Sequence, residues 1–177
     1  NHGNGFALAS MRNKNLSRYY IQTDLKDDIE NWNDKRFWEE LKKRLPSDAA
    51  DRIITGPSIE KSIAPLRSFV CEPMNWKSLY LVGDAAHIVP PTGAKGLNLA
   101  VSDVFYLYNA MKEFYLSGNK DSLNKYSQKA LSRVWKATRF SWWMTTTFHK
   151  FPEQSSFDQH IHDSELEYLD NSIECNR

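Results

Sequence analysis

Cysteine is scarce here, two in 177 residues. Cys71 and Cys175 lie far apart, and the second sits in a polar tail. That usage excludes a disulfide scaffold and a four-ligand metal site, and it favours a reducing, cytoplasmic setting. No apolar run approaches the roughly 20 residues of a membrane span. A basic-then-apolar leader is also missing at the N-terminus, so no membrane association is expected. Neither sign of charge dominates: 23 basic and 22 acidic side chains leave +1, which gives no footing for a nucleic-acid partner. There is no Gly-x-Gly-x-x-Gly fingerprint, no internal repeat and no low-complexity tract. What is present is 41% hydrophobic and 13% aromatic residues, enough to argue against wholesale disorder.

The pattern along the chain predicts strands first and helices afterwards, an α+β class. Phe6–Ser10 and Arg18–Thr23 read as paired strands joined by the polar stretch Met11–Ser17. Asn33 or Asp34 caps a helix with Phe37, Trp38, Leu41 and Leu45 on one face, and Pro46 ends it. A short helix is expected around Asp48–Ile54. Lys61–Glu72 reads as a strand, bent or at an edge because of Pro65. Leu79–Val82 is a short apolar run of the kind that fills a covered strand. Leu97, Val101, Val104, Tyr108, Met111 and Phe114 then recur at helical spacing until Gly118. A second long helix is expected over Asp121–Phe148, with Tyr126, Ala130, Val134, Thr138 and Trp142 along one side, and a third over Phe157–Leu169. The corresponding divisions are 1–78, 79–116 and 117–177.

Chemistry concentrates in Tyr80–Ala100, YLVGDAAHIVPPTGAKGLNLA. Gly83 and Asp84 break the strand, and Pro90, Pro91, Gly93 and Gly96 keep the next segment irregular. Backbone amides at Gly96, Leu97 and Asn98 open the helix, where unpaired N–H groups attract an anion or an electron-rich ring edge. A carboxylate such as Asp84 just after a strand suits a ligand hydroxyl, although a local cap is its commoner use. His87 has no partner legible in the sequence. Ser10 and Arg12, two apart on a strand, project to one face, where a guanidinium with a hydroxyl can grip a carboxylate. Taken alone, such residues more often simply face solvent. Lys125, Lys129, Arg133 and Lys136 form a solvated helix face, and Phe140, Trp142 and Trp143 suit core or subunit-interface packing.

GDAAHIVPPTGAKGLNLA resembles the second FAD-binding motif of the class A flavoprotein aromatic hydroxylases. FALASMRNKNLSRYYIQ, KSIAPLRSFVCEPM, RFSWWMTTTFHKFP and ELEYL are similar to the same family in the same order, so the likeness spans most of the chain. The resemblance implies that Asp84 takes a ribityl hydroxyl of FAD. It implies that Gly96, Leu97 and Asn98 approach the flavin pyrimidine edge, while carbonyls around Pro91 and Thr92 lie beside the phenol. Ser10, Arg12 and Tyr20 would hold a benzoate carboxylate, and Arg18 would lie close to flavin and substrate. Lys95 would add positive potential, with a solvated lysine as the alternative. Arg67 resembles a residue that binds NADPH, with a surface salt bridge as the alternative.

The implied reaction is hydroxylation of 4-hydroxybenzoate, a small phenolic acid, to 3,4-dihydroxybenzoate with FAD, NADPH and O2, by a homodimer. Two other classes stay open: a related hydroxylase of another phenolic acid, and a non-catalytic binding module. The start Asn1-His2-Gly3-Asn4 reads like the middle of a hairpin. The sequence is therefore expected to be the C-terminal portion of an enzyme. The dinucleotide fingerprint and one catalytic tyrosine would precede Asn1, and a second tyrosine would follow Arg177. On that expectation the isolated chain would neither bind FAD tightly nor turn over.

Overall fold

The computed structural model describes residues 2–149, 151 and 153–174. In chain order the elements are β1 (Ala7–Asn13), β2 (Leu16–Ile21), α1 (Asp34–Lys42) and α2 (Ser47–Arg52). Then come β3 (Phe69–Val70), β4 (Asn75–Trp76), β5 (Leu79–Tyr80), β6 (His87–Ile88) and α3 (Gly96–Ser117). The chain continues with α4 (Asp121–Asn124), α5 (Tyr126–Phe148) and α6 (Ser156–Asn171). Small strand pairs precede long helices, so the arrangement is α+β. The pairs are β1 with β2, β3 with β6, and β4 with β5, all antiparallel. Contacts divide the chain into two compact units, one of residues 1–65 with 146–177 and one of 66–145.

In the first unit, β1 and β2 pair from Ala7 with Ile21 to Asn13 with Leu16, and the register slips between Met11 and Asn13. The expected polar connection Met11–Ser17 is thus mostly strand, closed by a tight turn at Lys14 and Asn15. Asn33 caps α1 by accepting the Arg36 amide at 2.9 Å. Asp34, in the first turn, accepts Lys61 Nζ at 2.7 Å and the Ser58 amide at 3.2 Å. Those bonds, the Lys61 one foremost, hold its carboxyl down at about 2. Trp38 Nε1 donates to the Gly56 carbonyl at 2.8 Å. Together these bonds tether the extended segment after α2 to α1. Leu41 is fully buried, while the helix stops at Lys42, one turn before the expected Leu45.

In the second unit a core forms from Met74, Ala86, Val89, Leu99, Tyr126, Ala130 and Val134. Several sequence expectations need correcting here. Lys61–Glu72 is strand only at Phe69–Val70, which pairs with β6; the Cys71 amide adds one bond to the Ala86 carbonyl at 2.8 Å, and 61–68 pairs with no strand among the described residues. The run Leu79–Val82 is not a covered strand: Leu79–Tyr80 pairs with β4 in a hairpin, the Leu81 amide adds a bond to the Met74 carbonyl at 2.9 Å, and Leu79 is 60% exposed. The helical stripe Leu97, Val101, Val104 and Tyr108 faces outward, whereas Leu99, Asp103 and Ala110 are buried. The predicted helix over Asp121–Phe148 is broken at Lys125, so α4 stands apart from α5. Tyr126, Ala130 and Val134 are buried as the spacing implies, but Trp142 is exposed.

The core grips the strand leading into Gly83 through polar bonds as well as packing. Tyr126 donates its hydroxyl to the Leu81 carbonyl at 2.7 Å. Burial, with the Asp103 charge adding to it, pushes the Tyr126 hydroxyl well above the ordinary tyrosine range, so it stays a donor. The Met74 amide donates to Ser127 Oγ at 2.9 Å inside the fold. Met74→Ala in the full-length protein should cost about 2–5 kcal/mol through the cavity it leaves. Trp76→Ala, at a side chain 70% exposed, should stay within about 0.5 kcal/mol. Urea unfolding of the two variants checks this; equal losses would refute the core assignment.

Candidate functional site

Two clusters of the sequence-predicted residues form, one in each unit. In the first unit, cross-strand partners Ser10 and Arg18, and Leu8 and Tyr20, share a face of the β1–β2 pair. Arg12 lies at the register slip, outside the regular alternation on which its expected direction rests. It nevertheless reaches that group: Arg12 Nη2 donates to Tyr20 Oη at 3.0 Å. The Arg18 guanidinium carbon stands 5.8 Å from the centre of the Tyr20 ring. Arg12, Arg18 and Tyr20 are exposed and Ser10 is half-buried. The result is a solvent-facing group of two guanidinium forks and two hydroxyls. Neither arginine forms an ion pair among the described residues. Such a set can bind a carboxylate through charge-assisted hydrogen bonds.

The second cluster is the turn and loop between β5 and α3. Gly83 is buried with φ +59°, and a Cβ there would come within 3.2 Å of Ala100 Cβ. Only glycine takes that left-handed backbone and that approach to α3 without strain. It turns the chain so that the next residue, Asp84, is exposed. Among the described residues the Asp84 carboxylate has no hydrogen bond or ion pair, so it is an open acceptor. His87 is 1% exposed, and its Nε2 lies 2.6 Å from Asp103 Oδ2. The same oxygen accepts the Gly83 amide at 3.0 Å.

Pro90 is buried, and Pro91–Gly93 makes a single tight turn. The Pro91 carbonyl already accepts the Ala94 amide at 2.8 Å, so one of its lone pairs is used internally. Ala94 takes the left-handed conformation at φ +48°. The loop leans on α5. Thr145 donates its hydroxyl proton to the Ser141 carbonyl at 2.7 Å, which makes Thr92 the donor in the 2.8 Å Thr92–Thr145 contact. The Thr92 oxygen keeps acceptor capacity. Lys95 is half-buried, with Nζ 5.2 Å from the centre of the Phe140 ring. α3 then starts at Gly96 with no side-chain cap, and its first intrahelical bond runs from the Leu99 amide to the Lys95 carbonyl. The amides of Gly96, Leu97 and Asn98 precede that bond, and Leu97 and Asn98 are exposed. These three donors have no intrahelical acceptor.

Arg67 stands apart from the turn and loop in sequence. It is exposed and has no ion pair among the described residues, so the salt-bridge alternative finds no partner. Sequence reasoning missed Asp103, the partner of His87, and the α5 residues Phe140, Ser141 and Thr145 that support the loop. Asp103 gave no sequence signal, because only the structure shows that it shares a buried face with Leu99 and Ala110.

The loop's seat on α5 is tight at Gly93. A Cβ there would meet Ser141 Oγ at 2.8 Å and the Phe140 ring at 3.2 Å. Ser141 Oγ is itself buried without a hydrogen-bond partner among the described residues. Gly93→Ala in the full-length protein should therefore cost about 1–3 kcal/mol. Adding Ser141→Ala should recover part of that, since it removes the clashing atom and an unpaired buried polar group. Thermal unfolding of the singles and the double checks this; strictly additive effects would contradict it.

A family model described as "FAD binding domain" matches residues 1–141. The chain is 61% identical over 165 residues to p-hydroxybenzoate hydroxylase of Acinetobacter baylyi, covering 93% of this chain and 41% of that protein. It is 32% identical over 88 residues to kynurenine 3-monooxygenase of Neurospora crassa, covering 49% of this chain and 16% of that protein. It is 39% identical over 70 residues to the Drosophila melanogaster ubiquinone biosynthesis monooxygenase COQ6, covering 37% of this chain and 14% of that protein. The chain thus spans about two fifths of the length of its Acinetobacter relative. With the family model covering well over half its residues, the chain belongs to the FAD binding domain family.

Proposed function

We propose that the whole protein is a flavoprotein monooxygenase that converts 4-hydroxybenzoate, NADPH, O2 and a proton into 3,4-dihydroxybenzoate, NADP+ and water. The observation that carries the substrate is the exposed Arg12–Tyr20 pair beside Ser10 and Arg18. A relative named for p-hydroxybenzoate, 61% identical along nearly the whole chain, supports the same reading. In this scheme Ser10, Arg12 and Tyr20 hold the carboxylate, and Arg18 adds positive charge beside substrate and flavin.

The second unit fits FAD by its donor set. Asp84 offers an unpartnered acceptor for a ribityl hydroxyl. Gly96, Leu97 and Asn98 offer uncapped amides for the electron-rich pyrimidine edge, and a Cβ built at Gly96 meets nothing within 4 Å. Helix starts favour negative charge, and Lys95 strengthens that preference. When bound, FAD supplies the redox chemistry, taking two electrons from NADPH and using them on O2. The chain's own tasks are to orient the aromatic ring through its carboxylate, to line the phenol with Pro91 and Thr92, and to hold the cofactor edge. Arg67, exposed and free of ion pairs, is assigned to NADPH. We further propose a cytoplasmic homodimer; no helix among the described residues is long and apolar enough to cross a membrane.

Full-length protein should oxidise NADPH faster when 4-hydroxybenzoate is added, and form 3,4-dihydroxybenzoate. Arg12→Ala should raise KM for 4-hydroxybenzoate about 10- to 100-fold, the worth of a charge-assisted hydrogen bond, with a smaller change in kcat. Steady-state kinetics decides. An unchanged KM would remove Arg12 from the substrate site, and no stimulation by 4-hydroxybenzoate would reject the substrate.

A further inference from the structure

We propose that Asp103 is a positioning residue of the flavin site, a buried clamp that fixes the Asp84 turn to the helix whose first amides face the cofactor. The proposal rests on the FAD reading above and adds a residue to it. One oxygen, Asp103 Oδ2, takes the Gly83 amide at 3.0 Å and faces His87 Nε2 at 2.6 Å. Gly83 and His87 bracket Asp84, so a single atom ties down both ends of the turn. Asp103 itself lies in α3, five residues after Asn98, about 7.5 Å along the helix axis. The same rigid element therefore carries the open amides and the anchor of the acceptor. The spacing between the hydroxyl-binding carboxylate and the ring-binding amides becomes a property of one helix.

Packing alone gives no reason for a charge here. Asp103 and His87 are each 1% exposed, and an apolar pair of similar volume commonly serves stability as well as a buried ion pair does. Gly83 holds a left-handed backbone pressed on Ala100, an arrangement that benefits from a directional bond at its amide. His87 Nδ1 is buried without a hydrogen-bond partner among the described residues, so the ring's orientation hangs on Nε2 and hence on Asp103.

The test uses the full-length protein, with three readouts: the FAD dissociation constant, exchange of the Gly83 amide in FAD-free protein, and the thermal midpoint. Asp103→Leu should weaken FAD at least about 10-fold and speed exchange at Gly83, the loss expected when hydrogen bonds to a charged group disappear. Asp103→Asn keeps an oxygen able to accept both donors and should stay within about threefold of wild type. Val134→Ala, a core change that removes none of the clamp's hydrogen bonds, should lower the midpoint yet leave FAD affinity alone. Wild-type FAD affinity in Asp103→Leu overturns the proposal, as does equal weakening in Val134→Ala. Failure of the wild-type protein to bind FAD instead overturns the flavin reading, and Gly83 exchange in FAD-free protein still tests the clamp. If Asp103→Leu does not fold, His87→Leu and His87→Gln replace it. The clamp requires weaker FAD binding in the former and recovery in the latter, and equal dissociation constants overturn it.

Discussion

A buried carboxylate oxygen shared by a backbone amide and an imidazole is the constraint on which the second unit's geometry depends. Asp103 joins the Gly83–His87 turn to α3, and Ala86 within the turn and Leu99 on α3 both belong to the unit's apolar core. Tyr126 and Ser127, at the start of α5, fix the backbone just upstream at Leu81 and Met74. Farther along α5, Thr145, Ser141 and Phe140 support the Pro91–Gly93 turn. Two helices thus hold an irregular stretch of about a dozen residues in one shape. This is how a loop with little regular structure can present an acceptor and three amides reproducibly.

The carboxylate receptor proposed for the first unit rests on a different device. Such a receptor needs exposed cations that do not neutralise one another or collapse onto acidic neighbours. The β1–β2 pair suits this by placing Ser10 with Arg18 and Leu8 with Tyr20 on one face. The slip at Arg12 releases its side chain toward the Tyr20 hydroxyl. The Tyr20 ring also stands near the Arg18 guanidinium, which restrains a long side chain without consuming its hydrogen-bond donors.

Much of this is legible in the amino-acid sequence alone. The uncapped start of α3, its stop at Gly118 and the Asn33 cap of α1 are local chemistry, and local chemistry is what sequence records well. Which side of α3 is buried is not legible there. Periodicity points to Leu97, Val101, Val104 and Tyr108, but the core takes Leu99, Asp103 and Ala110 instead. The strands expected over Lys61–Glu72 and Leu79–Val82 shrink to two residues each, with one further backbone bond apiece from Cys71 and Leu81, because the partner backbone runs alongside for no longer. The break at Lys125 carries no glycine or proline to announce it. Asp103 looks like any solvated helix residue until the structure shows which face of α3 is buried.

The measurement that bears most directly on the proposed cofactor site is hydrogen exchange of the full-length protein with and without FAD, read residue by residue. Bound cofactor should slow exchange in two separated stretches together, 83–88 and 96–98, while α6 keeps its rate. Saturating FAD that leaves both stretches exchanging as before would contradict the account.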